Sequence, residues 1–411
     1  MMAEPARKSP VILAALALCM ALQMTGFIMI LPLFARRLES FNAGAEALAG
    51  SALAYALAAT VSAPVMGILA DRIGRRPIVL FSLAAYALAF AGYLFAASAW
   101  VFILLRGLAG LFTAGLVPAM TSMIGDLAPE DQRARWIGIV MGGASAGWIL
   151  GPIFGGELYD RYGSVVPFAL SIAMELAALL LACLLVRETH VPSARPASPV
   201  PLRSGFYALP AFHGFSLLML VSFGVLFAWA FIEAPFMFYV YDDLGWTSSR
   251  LGLVMSIYGL ACMIGEFTLS HLSDRLGRRP VLLVGLALFS AQFIGLVLFR
   301  DAGWIMASFV LAGLGNSLFD PALSAFLLDI TPAEQTARVM GLRSTAGSLG
   351  NLVGPGLFVL LTPFAGARAV FLIAAGFVWL LLLTSAFGLR LPQTEAASTH
   401  VSNAAVARQG E

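Results

Sequence analysis

Six ionisable residues stand inside long apolar runs: Arg106, Glu175, Glu233, Glu266, Asp320 and Arg343. A charge in such a run is costly, and its usual work is to hold a partner, bind an ion or carry a proton. A carboxyl taken out of water keeps its proton more readily than one at a surface. An acid that titrates there can give up a proton in exchange for another cargo. Glu233 and Asp320 are the candidates for that role, with pairing to Arg106 as the structural alternative. Covalent chemistry has little support. GASAG (143–147) fits G-x-S-x-G in letters, but that motif needs a strand–turn–helix setting, and Ser145 lies in a continuous glycine-rich run. The four histidines (His190, His213, His271, His400) are scattered. Cys19, Cys183 and Cys262 each sit in an apolar run with no CxxC, so neither a disulfide framework nor a zinc site is expected. A GxxxxGK[ST] loop is absent, which argues against nucleotide drive. The expectation is a non-enzyme with no metal and no cofactor.

The elements that must hold those charges follow from composition. Of 411 residues, 60% are hydrophobic and 11% charged, where soluble domains are roughly a quarter charged. Such a chain could not bury its apolar surface in water, and a net charge of +2 offers no field for a polyanion. A soluble enzyme, a nucleic-acid binder and a disordered chain are excluded. A membrane-spanning helix needs roughly 20 apolar residues. Hydropathy breaks predict twelve, at 11–35, 46–69, 78–98, 101–126, 136–158, 165–187, 211–240, 249–271, 280–299, 303–328, 338–362 and 368–390. The fold class expected is an all-α membrane protein. Residues 1–10 precede the first bundle (11–187), the Pro-, Ser- and Arg-rich stretch 188–210 reads as a linker, 211–390 forms the second bundle, and 391–411 is a tail. With the N-terminus inside, basic residues divide 16 inside to 6 outside. That bias places both termini in the cytoplasm of a bacterial-style inner membrane.

The halves superpose in sequence with a constant shift of 203 residues. GILADRIGRRP (67–77) meets SHLSDRLGRRP (270–280), DLAPEDQRAR (126–135) meets DITPAEQTAR (329–338), and GWILGP (147–152) meets GNLVGP (350–355). Tyr55 meets Tyr258. The repeat is parallel, an arrangement that puts a binding site between the two bundles near the midplane. Two charges break it: Arg106 faces Phe309 in the comparison, and Asp320 faces Val117.

On these residues the chain resembles the major facilitator superfamily over its whole length. DRxGRR after spans 2 and 8 resembles that superfamily's loop signature. GWILGPIFGG (147–156) resembles the GxxxGPxxGG mark of its proton-coupled antiporters, and Arg106 matches their membrane-embedded arginine. The resemblance implies two parallel six-helix bundles that rock against each other, with spans 1, 4, 7 and 10 lining a cavity. It implies proton-coupled export of small, mostly lipophilic compounds such as drugs. Export or uptake of a sugar or metabolite, or lipid flipping, is the alternative. It also implies a gating role for Asp71, Arg72, Gly74, Arg75 and Arg76 and for Asp274, Arg275, Gly277, Arg278 and Arg279. Asp71 could pair with Arg72 or Arg75, or face a neighbouring helix N-terminus. Gly147, Gly151, Pro152, Gly155 and Gly156 combine close packing with a kink and are expected at the seal between bundles. Many such exporters carry an acid in span 1, where this chain has Gln23. Phe227 and Trp229, with Tyr55 and Tyr258, are candidates for an aromatic wall suited to lipophilic cations. Phe236, Tyr239 and Tyr241 read as an interfacial belt. The partners expected are a small molecule, protons and the lipid bilayer, with no nucleic acid, for a monomer.

Overall fold

A computed structural model of the chain describes residues 5–129, 132–189, 214–269, 271–332 and 335–389. Only residues 188 and 189 of the expected linker lie inside that set, and the tail 391–411 lies outside it. Among the described residues there are no strands. Twelve helices are long and apolar enough to cross a membrane: Pro10–Ile30, Ala45–Ile73, Arg75–Phe95, Ala99–Leu127, Arg135–Tyr162 and Val165–Leu185 (spans 1–6), then Phe215–Asp243, Ser248–Leu269, Arg278–Leu298, Ala302–Asp329, Arg338–Leu361 and Ala367–Gly388 (spans 7–12). The protein is an all-α, multi-pass membrane protein. Leu88, Leu180, Leu298 and Leu372 are exposed on its periphery, as expected where lipid rather than water is the solvent.

Where regular helix fails, the sequence supplies a reason. Span 1 stops at Ile30 before Pro32, and a short helix, Leu33–Glu39, follows it. Span 4 breaks at Ala114–Gly115 between Ala99–Thr113 and Leu116–Leu127. Pro118 has no N–H to offer the Ala114 carbonyl four residues back. Gly74 and Gly277 turn the chain after spans 2 and 8 with φ of +104° and +90° and nearly equal ψ. Only glycine enters that region cheaply, which explains the glycine in both DRxGRR loops.

The 203-residue offset is visible as repeated contacts. Span 1 packs on spans 5 and 6 as span 7 packs on 11 and 12, and span 2 packs on span 4 as span 8 packs on 10. Gly110 lies against the Tyr55 carbonyl, and Gly313 lies against that of Tyr258. Arg75 pairs with Asp126, and Arg278 with Asp329. Arg76 donates to the Cys183 carbonyl, and Arg279 to that of Ala386. Between the halves, span 5 packs on span 8 and span 2 on span 11.

Candidate functional site

Both described chain ends lie on one face, termed here the terminal face; the DRxGRR loops share it. The opposite, far face is closed by contacts between the halves. The Arg36 guanidinium lies 3.8 Å from the Tyr241 ring and donates to the Trp246 carbonyl at 3.2 Å. Tyr241 donates to the Pro32 carbonyl at 3.3 Å. Asp160, at the end of span 5, accepts from the backbone N–H groups of Ser248 and Ser249 at 3.1 and 2.7 Å. It thereby caps the first turn of span 8 from the other bundle. Glu157 accepts from the Ser249 hydroxyl at 2.9 Å as well as pairing with Arg161. Tyr239 and Tyr241, expected in an interfacial belt, are instead buried, as is Phe236. Tyr241 is under Arg36, Tyr239 is edge-on to Phe371 and Phe236 is stacked on Phe309. Contacts of this kind remove the amphipathic ring from the lipid headgroup level.

The glycine stripe of span 5 divides between two partners. Gly143, Gly147, Gly151 and Gly155 face span 1 within their own bundle. Gly156 lies against the Ser248 carbonyl, and the Pro152 carbonyl lies against Gly252, across the interface. Pro152 has no N–H for the Trp148 carbonyl, and that carbonyl faces Gly259 of span 8. The Ile153 N–H donates to Ser256 Oγ at 3.1 Å. Nearer the terminal face, Gly138, Gly142 and Gly341 have nothing within 4 Å of a would-be Cβ. Glycines packed at one end and open at the other define a cleft closed on the far side and open on the terminal side.

The DRxGRR residues fit that state. Arg75 pairs with Asp126, and Arg76 donates to the Val186 and Cys183 carbonyls. The Glu188 carboxylate accepts from the N–H groups of Arg75 and Arg76 at 3.1 and 3.0 Å, capping span 3 beside Gly74. Arg278 pairs with Asp274 and Asp329. All of these contacts stay within one half. Asp71, Arg72 and Arg275 are exposed, and Asp71 makes no hydrogen bond or ion pair among the described residues. The pairing of Asp71 with Arg72 or Arg75 is not made here, because Asp126 takes Arg75.

Beneath the far-face seal lies a layer built around Arg106. Its side chain is 5% exposed, and its Nε and Nη1 have no hydrogen-bond partner. The guanidinium lies 4.8, 5.0 and 5.8 Å from the rings of Tyr55, Phe34 and Phe27. Glu233 lines the same small cavity from span 7, together with Ser51 and Pro355. Its carboxylate is the acid facing Arg106 across the two halves, beyond ion-pair contact. The repeat makes the divergence explicit. Phe309, at the position matching Arg106, packs edge-on against Tyr258 at 6.3 Å, as Arg106 packs on Tyr55.

Toward the terminal face a larger cavity opens, in two connected lobes that share Val225, Leu226 and Asn316. The first, about 260 Å³, is walled by Trp148, Trp229, Tyr258 and Phe289, and Glu266 is its one ionisable carboxyl. Trp229 and Tyr258 are stacked with centroids 6.0 Å apart and planes 9° from parallel. The second, about 410 Å³, is polar and contains Asp320, Arg343, Ser344, Ser348 and Asn351. Asp320 pairs with Arg343, and not with Arg106 as its structural alternative supposed.

Several expected residues therefore come together and others do not. Trp229, Tyr258 and Asp320 line the large cavity, while Arg106, Glu233 and Tyr55 form the layer above it. Phe227 points away: its ring packs 5.0 Å from Phe377 of span 12 and stacks on Phe223 and Phe231. Span 7 is apolar on every side, so its sequence carries no sign of which face meets the cavity. Gln23 is fully buried against span 6 rather than in the cavity. Spans 5, 8 and 11, and span 9 through Phe289, line the cavity alongside 7 and 10, whereas spans 1 and 4, expected there, contribute no lining residue to it. Glu266, Arg343, Asn316 and Trp148 were not singled out for it. The signal available was that Glu266 and Arg343 are charges within spans, and Asn316 an amide within one.

The family model described as Major Facilitator Superfamily matches residues 13–240 and 218–408. The chain is 32% identical over 332 residues to the class G tetracycline resistance protein of Vibrio anguillarum, covering 79% of this chain and 82% of that one. It is 28% identical over 344 residues to the multidrug resistance protein MdtG of Klebsiella pneumoniae, covering 83% of each. Among solved structures, the nucleoside transporter NupG superposes with a TM-score of 0.73 at 13% identity, over 92% of this chain and 100% of that one. A bacterial homolog of the human lysosomal transporter Spinster superposes with a TM-score of 0.70 at 18% identity, over 95% and 100%.

Proposed function

Since the chain belongs to the Major Facilitator Superfamily, we propose that it is a secondary transporter exporting aromatic, lipophilic cations in exchange for protons. The observation that carries this reading is the first lobe of the large cavity. Trp148, Trp229 and Tyr258 offer flat apolar area and π faces, and Glu266 offers a negative charge with no base lining the same lobe. A cation with an aromatic body gains both cation–π attraction and charge neutralisation there. Asp320 and Arg343 next to it neutralise each other and leave the charge of Glu266 uncompensated. The relatives named for tetracycline and multidrug resistance support drug export.

The cycle is alternating access. In the state described, cargo enters from the terminal face and rests on the aromatic wall. The far-face contacts of Asp160, Arg36 and Pro152 then part while Gly138, Gly142 and Gly341 close the terminal side. The expected gating role of the DRxGRR loops belongs to that closed terminal side, where exposed Asp71 would find a partner in the opposite half. Glu233, facing Arg106, is the acid on the path that can exchange a proton as the halves rock. The arginine bias supports a cytoplasmic terminal face in an inner membrane, and a proton gradient directed into the cell would then drive the cargo outward.

A second reading, transport of a polar metabolite, has one observation in its favour: the Asp320, Arg343, Asn316 and Asn351 lobe. Susceptibility of an efflux-deficient bacterial host to a panel of cationic dyes and antibiotics, with and without a protonophore, separates the two. Expression is expected to raise resistance to aromatic cations, and the protonophore to abolish the gain. Unchanged susceptibility to the entire panel would count against drug export.

The aromatic wall yields a sharper expectation. Trp229→Ala should weaken binding of an aromatic cation by about 3- to 30-fold, the range from a solvated to a desolvated cation–π partner. Phe227→Ala, on the other face of span 7, should lower stability through lost packing and leave affinity for the folded protein unchanged. Equilibrium binding to purified variants checks both.

A further inference from the structure

Glu175 has no part in the cavity, yet it is the most deeply buried acid described. It is 0% exposed, and neither carboxyl oxygen has a hydrogen-bond partner. Gln23 of span 1 shares both properties: it is 0% exposed, and neither amide atom is bonded. Their helices run antiparallel, and two contacts fix the register. Cys19 Sγ donates to the Ala178 carbonyl at 3.3 Å, and Gly26 abuts the Ser171 carbonyl. Gln23 lies four residues after Cys19 and three before Gly26. Glu175 lies four after Ser171 and three before Ala178. With residues three and four apart on one helix face, the two polar side chains meet at the same level of a seam that is otherwise apolar. Unpartnered polar groups in a dry seam cost stability and call for a reason.

A chain of hydroxyls leads from this seam to the central layer. Span 3 packs on span 6, and the ring of its Tyr86 lies 6.5 Å from that of Phe27, four residues after Gln23, while Cys19 of span 1 bonds to Ala178 in the same seam. No arginine, lysine or histidine pairs with Glu175 among the described residues. The Tyr86 hydroxyl is 3.2 Å from that of Tyr55, which lies 3.5 Å from Thr113 Oγ1. The Tyr55 ring in turn carries the Arg106 guanidinium, which faces Glu233.

We propose that Glu175, set opposite Gln23 in the seam between spans 1 and 6, is a proton-carrying group of the transport cycle, reached from the central layer through Tyr86 and Tyr55. The step moves protons alone. The carboxyl gives up its O–H proton to become a carboxylate, each tyrosine hydroxyl releases its own proton as it accepts the next, and the carboxylate of Glu233 in the central layer takes the last one as the halves rock. Gln23, on the facing side of the seam, offers an amide oxygen that can accept from the protonated carboxyl. The bare carboxylate is costly there, so release is tied to a state in which the seam or Arg106 has shifted. That link is what couples a proton to rocking of the bundles.

The inference rests on the transporter reading, and one experiment separates the two. Purified full-length protein in proteoliposomes is assayed with ethidium, both for accumulation driven by a pH gradient and for exchange of labelled against unlabelled ethidium without a gradient. Glu175→Gln is near-isosteric and neutral, so it preserves the packing. It is expected to lose gradient-driven accumulation and keep exchange, and Glu175→Asp is expected to recover part of the accumulation. Wild-type accumulation in Glu175→Gln would overturn the proposal, and so would loss of exchange along with accumulation, which would assign Glu175 to packing. Absence of both activities in the wild type would instead overturn the transporter reading.

Discussion

Gly252→Leu is expected to prise the far face open and stop transport. A Cβ at Gly252 would run into the Pro152 carbonyl and lie 3.3 Å from Ile153 Cα. Both are backbone atoms of span 5 and cannot swing aside as a side chain can. The helix pair is relieved only by moving the bundles apart, and that is the motion that opens the far side. Overpacking of this kind costs about 1–3 kcal/mol, enough to shift a two-state equilibrium by about 5- to 150-fold away from the closed far face. The readout is reaction of a Ser249→Cys reporter with an impermeant maleimide applied to the far face. Ser249 bonds to Asp160 in the closed state, so labelling should rise as transport falls. Gly142→Leu is the matched control: nothing lies within 4 Å of its added Cβ, and labelling should stay low. If Gly252→Leu labels and transports as the parent does, the glycine contact is not the seal.

Arg106→Met should have the second large effect. The guanidinium is held by three aromatic rings and faces Glu233. Removing it leaves that carboxylate in a largely apolar layer with no counter-charge. Arg106 and Glu233 face each other without an ion pair, so the loss is that of leaving a buried polar group uncompensated, about 1–3 kcal/mol, and transport should fall by about 5- to 150-fold. Arg106→Lys keeps the charge but loses the flat face that stacks on Tyr55 and Phe34, and should recover only part of the activity. The double variant Arg106→Met with Glu233→Gln removes the stranded charge. It should regain membrane abundance without regaining transport. Initial rates normalised to protein in the membrane test all three. Transport by Arg106→Met at the parental rate would remove Arg106 from the mechanism.

Much of the fold was legible in the sequence, for reasons seen in particular residues. Apolar runs bounded by arginines and glycines gave the spans, because a bilayer allows little besides a helix. The 203-residue shift foretold that the halves would repeat their contacts, and the pairs Arg75 with Asp126 and Arg278 with Asp329 do so, although the expected partner of Arg75 was Asp71. Charges inside spans pointed to Arg106, Glu233 and Asp320, since burial makes such charges rare. What the sequence hid was direction around a helix axis. Phe227 and Trp229 lie two residues apart on a span apolar all round, yet one packs on span 12 and the other lines the cavity. Glu175 resisted explanation because its neighbour, Gln23, is 152 residues away and becomes one only through the register of spans 1 and 6. The tilt of the cavity toward the second half was equally hidden, because it depends on Phe309 filling the place that Arg106 holds in the first.

The central claim is that the chain moves aromatic cations across a membrane at the expense of a proton gradient. Ethidium accumulation in proteoliposomes of the purified protein, with and without an imposed pH gradient, tests it most directly. Accumulation is expected to appear with the gradient, to collapse on adding a protonophore, and to be lost in Arg106→Met. Equal ethidium levels in protein-containing and protein-free vesicles under every gradient would contradict it.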